Sequence, residues 1–325
     1  MEKTHTNMAR MLLLIAPLAA VVLVSGCTGG GTTGLGNGLE ILNFAPDFPE
    51  GVYSGDTVKL QLRVQNQGEV TARDVEVELA NIDTNEWGTF GLLGFTESLG
   101  DLLPYDPTTN TPGAIKTNEW RLQAPELAKG TMFTYEPMVK VAYDYKTVAT
   151  KPITLVDEDE LRRIIQQGKT LPSKMTEYTA GPLMVEVRTG EYVRTSSGFE
   201  GESYEVFPVY IKITNREWES GGSVIEGGFG GMGFDQYDYP ISIKITPPGG
   251  VVSRSMSLDE CSGSFETIDL WQGRDADITC DFEVVNPPEY RQEALITVEL
   301  EYRFQTEAAT SLRVSGTEEG LGWGF

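Results

Sequence analysis

Apolar residues at every second position, in segment after segment, constrain this chain more than any other feature. In Thr57–Asn66 (TVKLQLRVQN), Val58, Leu60, Leu62 and Val64 alternate with Lys59, Gln61 and Arg63. Successive side chains of a strand leave opposite faces, so this segment has one dry face and one wet one. The pattern breaks at Asn66-Gln67-Gly68 and resumes in Ala72–Leu79, with Val75, Val77 and Leu79 together. Leu183–Val187, Tyr204–Thr214, Ile241–Thr246, Val251–Leu258 and Asp277–Val284 read as strands too, as do Lys116–Ala124, Met132–Lys146 and a closing strand near Thr147–Val156. One segment is helical: Asp157–Gly168 (DEDELRRIIQQG) crowds acidic residues at the positive end, groups Leu161, Ile164 and Ile165, and stops at a glycine.

The strands recur as a set. Leu127-x-x-Gly130 returns as Leu270-x-x-Gly273, Val141-x-x-x-Tyr145 as Val298-x-x-x-Tyr302, and Leu155 as Leu312, the last two at a common offset of 157. Two copies of one β-sandwich account for this, against chance likeness between amphipathic strands. The expected architecture is all-β: a first sandwich over 40–156, a helical linker over 157–177, a second sandwich over 178–315 and a tail over 316–325. Between strands, Ile82–Gly113 carries Trp87, Phe90, Leu92, Leu93 and Phe95 among glycines and prolines. That composition suits a hairpin folded over a sandwich end, or a docking surface.

Gly55-Asp56, Val64-Gln65-Asn66-Gln67-Gly68 and Ala72-Arg73-Asp74-Val75-Glu76-Val77 resemble the immunoglobulin-like modules of the CARDB (cell-adhesion-related) type and related S-layer-associated domains. The shared stretch is a strand, an Asn-x-Gly turn and a second strand. The Asn side chain can hold the turn, and Gly tolerates positive φ. The resemblance implies immunoglobulin-like folds with extracellular support or contact roles, and supplies no site residue. The second copy has Asn215 but lacks the matching glycine.

Ahead of the sandwiches, Lys3 and Arg10 precede the uncharged apolar run Met11–Val24, the pattern of an export signal. As a helix that run is about 21 Å long, short of a hydrocarbon layer of ~30 Å. Val24-Ser25-Gly26-Cys27 resembles the lipobox of exported lipoproteins, which makes residues 1–27 a lipoprotein signal and Cys27 the lipidated residue. An uncleaved anchor is the alternative. Either reading puts the rest of the chain outside the cytoplasm, at the outer face of the cell membrane. Residues 28–39 form a glycine-rich tether.

The chain has 25 Lys and Arg against 48 Asp and Glu, a net charge of -23. So negative a surface repels phosphate, and nucleic acid is not an expected partner. The single histidine, His5, lies inside the signal, so a processed chain has no imidazole. Histidine-based hydrolases and histidine metal or haem sites are then excluded, and three cysteines cannot build a four-thiolate cluster. The chain reads as a non-catalytic structural or adhesive module of the envelope, with no cofactor and with the membrane, an envelope protein or a glycan as partner; the alternatives are a solute- or glycan-binding surface lipoprotein and a subunit of a surface polymer.

Cys261 and Cys280 are the expected disulfide of an exported domain. Gly221–Gly233 (GGSVIEGGFGGMG) is too apolar for a mere linker: it is a hairpin tip against the other domain, or a binding loop. Candidate partner-binding residues are Val224, Ile225, Phe229, Met232, Phe234 and Tyr237, with Trp323 and Phe325 in the tail. Asp235 and Asp238 are weak calcium candidates, and Asp83–Gly88 merely echoes a calcium loop. Trp87, Trp120, Trp218 or Trp271 could stack on a sugar, although a tryptophan in a sandwich is more often core.

Overall fold

The computed structural model describes residues 37–83, 85–89, 95–106, 108–195, 206–226, 239–254 and 261–317. Cys27 and the export segment lie outside these, as do Phe229, Met232, Phe234, Asp235, Tyr237, Asp238, Trp323 and Phe325.

The described chain is all-β with one α-helix. Its first half contributes β1 (Leu39–Pro46), β2 (Val52–Tyr53), β3 (Thr57–Asn66), β4 (Ala72–Ala80), β5 (Gly88–Thr89), β6 (Thr96–Leu102), β7 (Ile115–Gln123), β8 (Met132–Tyr135) and β9 (Met138–Asp157). Helix α1 (Glu158–Gln166) follows. The second half contributes β10 (Glu177–Tyr178), β11 (Leu183–Arg188), β12 (Val193–Thr195), β13 (Val206–Asn215), β14 (Ser223–Ile225), β15 (Pro240–Thr246), β16 (Val251–Ser253), β17 (Phe265–Asp269), β18 (Asp275–Val284), β19 (Arg291–Ala309) and β20 (Leu312–Ser315). Alternation decides what each strand buries: Val58, Leu60, Leu62 and Val64 of β3 are each 1 % exposed or less. A register slip of one residue would turn all four to water, at roughly 1.5–3 kcal/mol apiece.

The topology repeats. Sheet β1-β3-β7-β5 has its counterpart in β11-β13-β18-β16, and a larger sheet runs β17-β15-β19-β9-β4-β6, the same order from either edge. At its centre β9 and β19 pair antiparallel from Val156↔Arg291 to Met138↔Ala309. Tyr145 pairs with Tyr302, its own counterpart under the offset of 157. A pair of mutual counterparts places a local two-fold axis between them. Leu127–Gly130 and Leu270–Gly273 are not equivalent: the former precedes β8, whereas the latter precedes β18, the counterpart of β7.

Thr147–Val156, expected as a separate closing strand, is the second part of β9. This changes how the halves relate. The start of β9 pairs with β4 of its own half, but its end pairs with β10 and β12 of the other. Reciprocally, β19 pairs with β15 and β14, and the chain then continues into β20 against β2 and β8. Each half lends its last strand to the other. The described residues fall within one compact unit, and one apolar cluster includes Leu60, Val77 and Val141 together with Ile211, Ile243 and Val298.

Helix α1 sits at the end of this ribbon. Asp157 caps it by accepting from Asp159 N at 2.9 Å, and Leu161 and Ile164 pack with Val156 and Leu171 in a small separate cluster. Cys261 and Cys280 are disulfide-bonded and fully buried, tying the entry to β17 onto β18.

Candidate functional site

Two places concentrate chemistry: the centre of the ribbon and a cleft in the second half. On one face of the ribbon Tyr143, Tyr145, Tyr302 and Phe304 form a closed ring of contacts, with centroid separations of 5.9, 6.2, 6.4 and 6.0 Å in turn. The Tyr145 hydroxyl donates to Ala180 O at 2.6 Å and accepts from Val70 N at 3.2 Å. Tyr143 accepts from Leu39 N at 3.2 Å, and the Tyr302 and Thr147 hydroxyls share a bond of 2.8 Å. Burial pushes the Tyr145 hydroxyl up to about 12 and holds those of Tyr143 and Tyr302 well above the ordinary tyrosine value. All three stay protonated at neutral pH, serving as fixed hydrogen-bonding groups rather than nucleophiles.

The opposite face is charged. Asp144 pairs in register with Arg303, and Lys146 with Glu301, so two ion pairs flank the tyrosine pair crosswise. Arg303 reaches Asp144 at 2.8 Å, Glu76 at 2.6 Å and Asp74 at 3.6 Å, while Lys146 lies 2.7 Å from Glu299 and 3.3 Å from Glu301. A bulge in β4, with Asp74 at φ 47°, brings Asp74 and Glu76 to Arg303.

Each half has a buried asparagine at the end of its equivalent strand. Asn66 donates from Nδ2 to Val70 O and Leu102 O, at 2.9 and 2.8 Å, and accepts from Gly68 N. Asn215 donates to Gly222 O at 2.8 Å and Gly273 O at 3.0 Å, and accepts from Glu217 N at 2.9 Å. The residue two on differs for a steric reason. A Cβ on Gly68 would lie 2.0 Å from the Tyr145 hydroxyl oxygen, whereas the second half accommodates Glu217, itself 6 % exposed. Burial pushes the Glu217 carboxyl up to about 7, opposed by its bond to Thr306.

Asn215 thereby anchors two loops that carry aromatic residues. Trp218 opens the 3-10 turn Trp218–Ser220, and Trp271 lies in the loop before β18. Together with Tyr239, Asp269, Leu270 and Gln272 they line a cleft of about 590 Å³. Trp218 is 40 % and Trp271 67 % exposed. Backbone bonds fix the lining: Leu270 N donates to Tyr239 O at 3.1 Å, Trp271 N to Asp275 O at 2.7 Å and Arg274 N to Trp271 O at 3.0 Å. Gly273, at φ 70°, lets the Tyr239 ring lie against the backbone, since a Cβ there would meet the ring at 2.9 Å. Among the described residues the first half offers no counterpart: its Asn66 loop continues through Gly68 and Glu69 where the second has Glu217 and Trp218.

Of the four tryptophans considered for sugar stacking, the structure separates two from two: Trp87 and Trp120 are core, at 1 % and 5 % exposure, while Trp218 and Trp271 share the cleft. Val224 of the proposed binding loop is fully buried on β14, opposite Phe304, and Ile225 is half-buried. Val224 is thus a core residue. Asp83 is engaged locally, accepting from Asn85 N at 2.8 Å. Among the described residues no group of His, Cys, Asp or Glu could hold a metal ion. The chain matches no family model and none of the curated proteins.

Proposed function

We propose that this protein is a lipid-anchored, extracytoplasmic, non-catalytic module of the cell envelope, structural or adhesive in role. It is built from two immunoglobulin-like sandwiches of the CARDB or S-layer-associated kind. Cys27 is its attachment to the outer face of the membrane, and an envelope protein or a glycan is its partner. The observation that carries this reading is the shared ribbon. Two halves that close each other's sheets make one stiff body, suited to holding a surface at a distance from an anchor. The buried Cys261–Cys280 disulfide supports export, since such bonds persist in oxidising compartments.

Replacing Cys27 by Ser is expected to move the protein from the membrane fraction to the soluble one. Added protease should reach the wild-type protein on intact cells. A Cys27→Ser protein that stays in the membrane, or a wild-type protein shielded until the cells are broken, would overturn the proposal.

A further inference from the structure

We infer that the Trp218–Tyr239–Trp271 cleft binds a neutral carbohydrate, a function separate from support and independent of how the chain is anchored. A sugar ring has apolar C–H faces and a rim of hydroxyls, so it is recognised by exposed aromatic faces with hydrogen-bonding groups at their edges. The cleft offers that combination: two exposed indoles and a half-buried phenol, with the exposed side chains of Asp269 and Gln272 at the rim. Large indoles left this open to water lose the stabilisation that Trp87 and Trp120 gain in the core.

The site is also built in advance. Asn215, 4 % exposed, bonds both to the loop that presents Trp271 and to the turn that presents Trp218. Gln272, next to Trp271, holds φ 52°, a conformation that costs a non-glycine residue and persists where its surroundings impose it. Pre-ordered walls reduce the entropy lost on binding.

Size and charge narrow the ligand. A cleft of about 590 Å³ falls within the range of small-molecule sites and is roomy for a compact quaternary ammonium ion, the other usual guest of aromatic cages. A nucleotide could stack on the same rings, but Asp269 and a net charge of -23 oppose its phosphates. A neutral sugar meets neither objection.

The test uses the full chain in a detergent without a sugar headgroup, titrated with cellobiose, diacetylchitobiose and maltose, and read by tryptophan fluorescence and calorimetry. Polysaccharide extracted from the producing cell's own envelope forms a second arm, separating a wall ligand from a free sugar. Saturable binding in either arm supports the proposal if Trp271→Ala and Trp218→Ala each weaken it about tenfold or more. Tyr290→Ala, another exposed aromatic outside the cleft, should leave it unchanged. Both tryptophans are partly exposed, so these variants should melt with the wild type and still report on binding.

Absence of saturable binding in both arms at millimolar sugar would overturn the proposal, as would wild-type affinity in the two tryptophan variants, or saturation by glycine betaine alone. So would indoles shielded from acrylamide in the free protein, judged by the difference between wild type and Trp271→Phe, because the chain itself would then occupy the cleft.

Discussion

At the residue scale, two buried positions set opposing requirements. Glu217 keeps a carboxyl where burial favours the neutral form, so the folded chain holds its proton to about pH 7 while an unfolded one releases it near 4.5. Its contribution is therefore complete below 4.5 and is lost as pH rises through about 7, for a swing of roughly 3 kcal/mol at most. Glu217→Gln should stay protonated-like throughout. Relative to wild type, its urea midpoint is expected to gain steadily between pH 5 and 8; parallel pH profiles for the two proteins would refute this. Gly68 answers the same question in the opposite way. Gly68→Ala pushes a methyl group into the Tyr145 hydroxyl and should cost roughly 1–3 kcal/mol. Tyr145→Phe added to it should recover part of that loss, which a double-mutant cycle would measure. The sequence shows that the Asn-x-Gly turn becomes Asn-x-Glu in the second copy. It does not show why, because the reason is a hydroxyl far along the chain that fills one pocket and leaves its counterpart free.

At the element scale, the strands were largely readable. A strand with one wet face must alternate, and β3, β4, β11, β13, β15 and β18 do so because water lies on one side of each. The helix was readable too, since Asp157 and its acidic first turn are local signals. Alternation names the buried face of a strand but not its neighbour, so Thr147–Val156 looked like a strand that closes its own unit. The cleft was harder still. Trp218 and Trp271 are brought together by three hydrogen bonds of Asn215, and no periodicity records such bonds. The disulfide belongs to this scale. Reduction, or a Cys261→Ala/Cys280→Ala double variant, should lower stability by about 3 kcal/mol on the loop-entropy estimate, seen as an earlier thermal transition. An unchanged transition would mean that packing alone holds β17 to β18.

At the scale of the whole molecule, the exchanged strands govern behaviour. A chain cut in the α1 region leaves each half with a long strand that has lost the partner it pairs with along its whole length. Halves produced separately should be largely unfolded or aggregated, whereas halves produced together should assemble and unfold in one transition. Two independent transitions, or a folded solitary half, would show that each can close its own sheet. The ion pairs of Asp144 with Arg303 and Lys146 with Glu301 repeat under the same local symmetry, as the Tyr145–Tyr302 pair does. That symmetry has a historical consequence. Two identical protomers swapping their final strands about such an axis would meet at this tyrosine, paired with itself. Joining two such protomers head to tail would give the present arrangement, in which the asparagine loops of the two halves are free to differ, as Gly68 and Glu217 do.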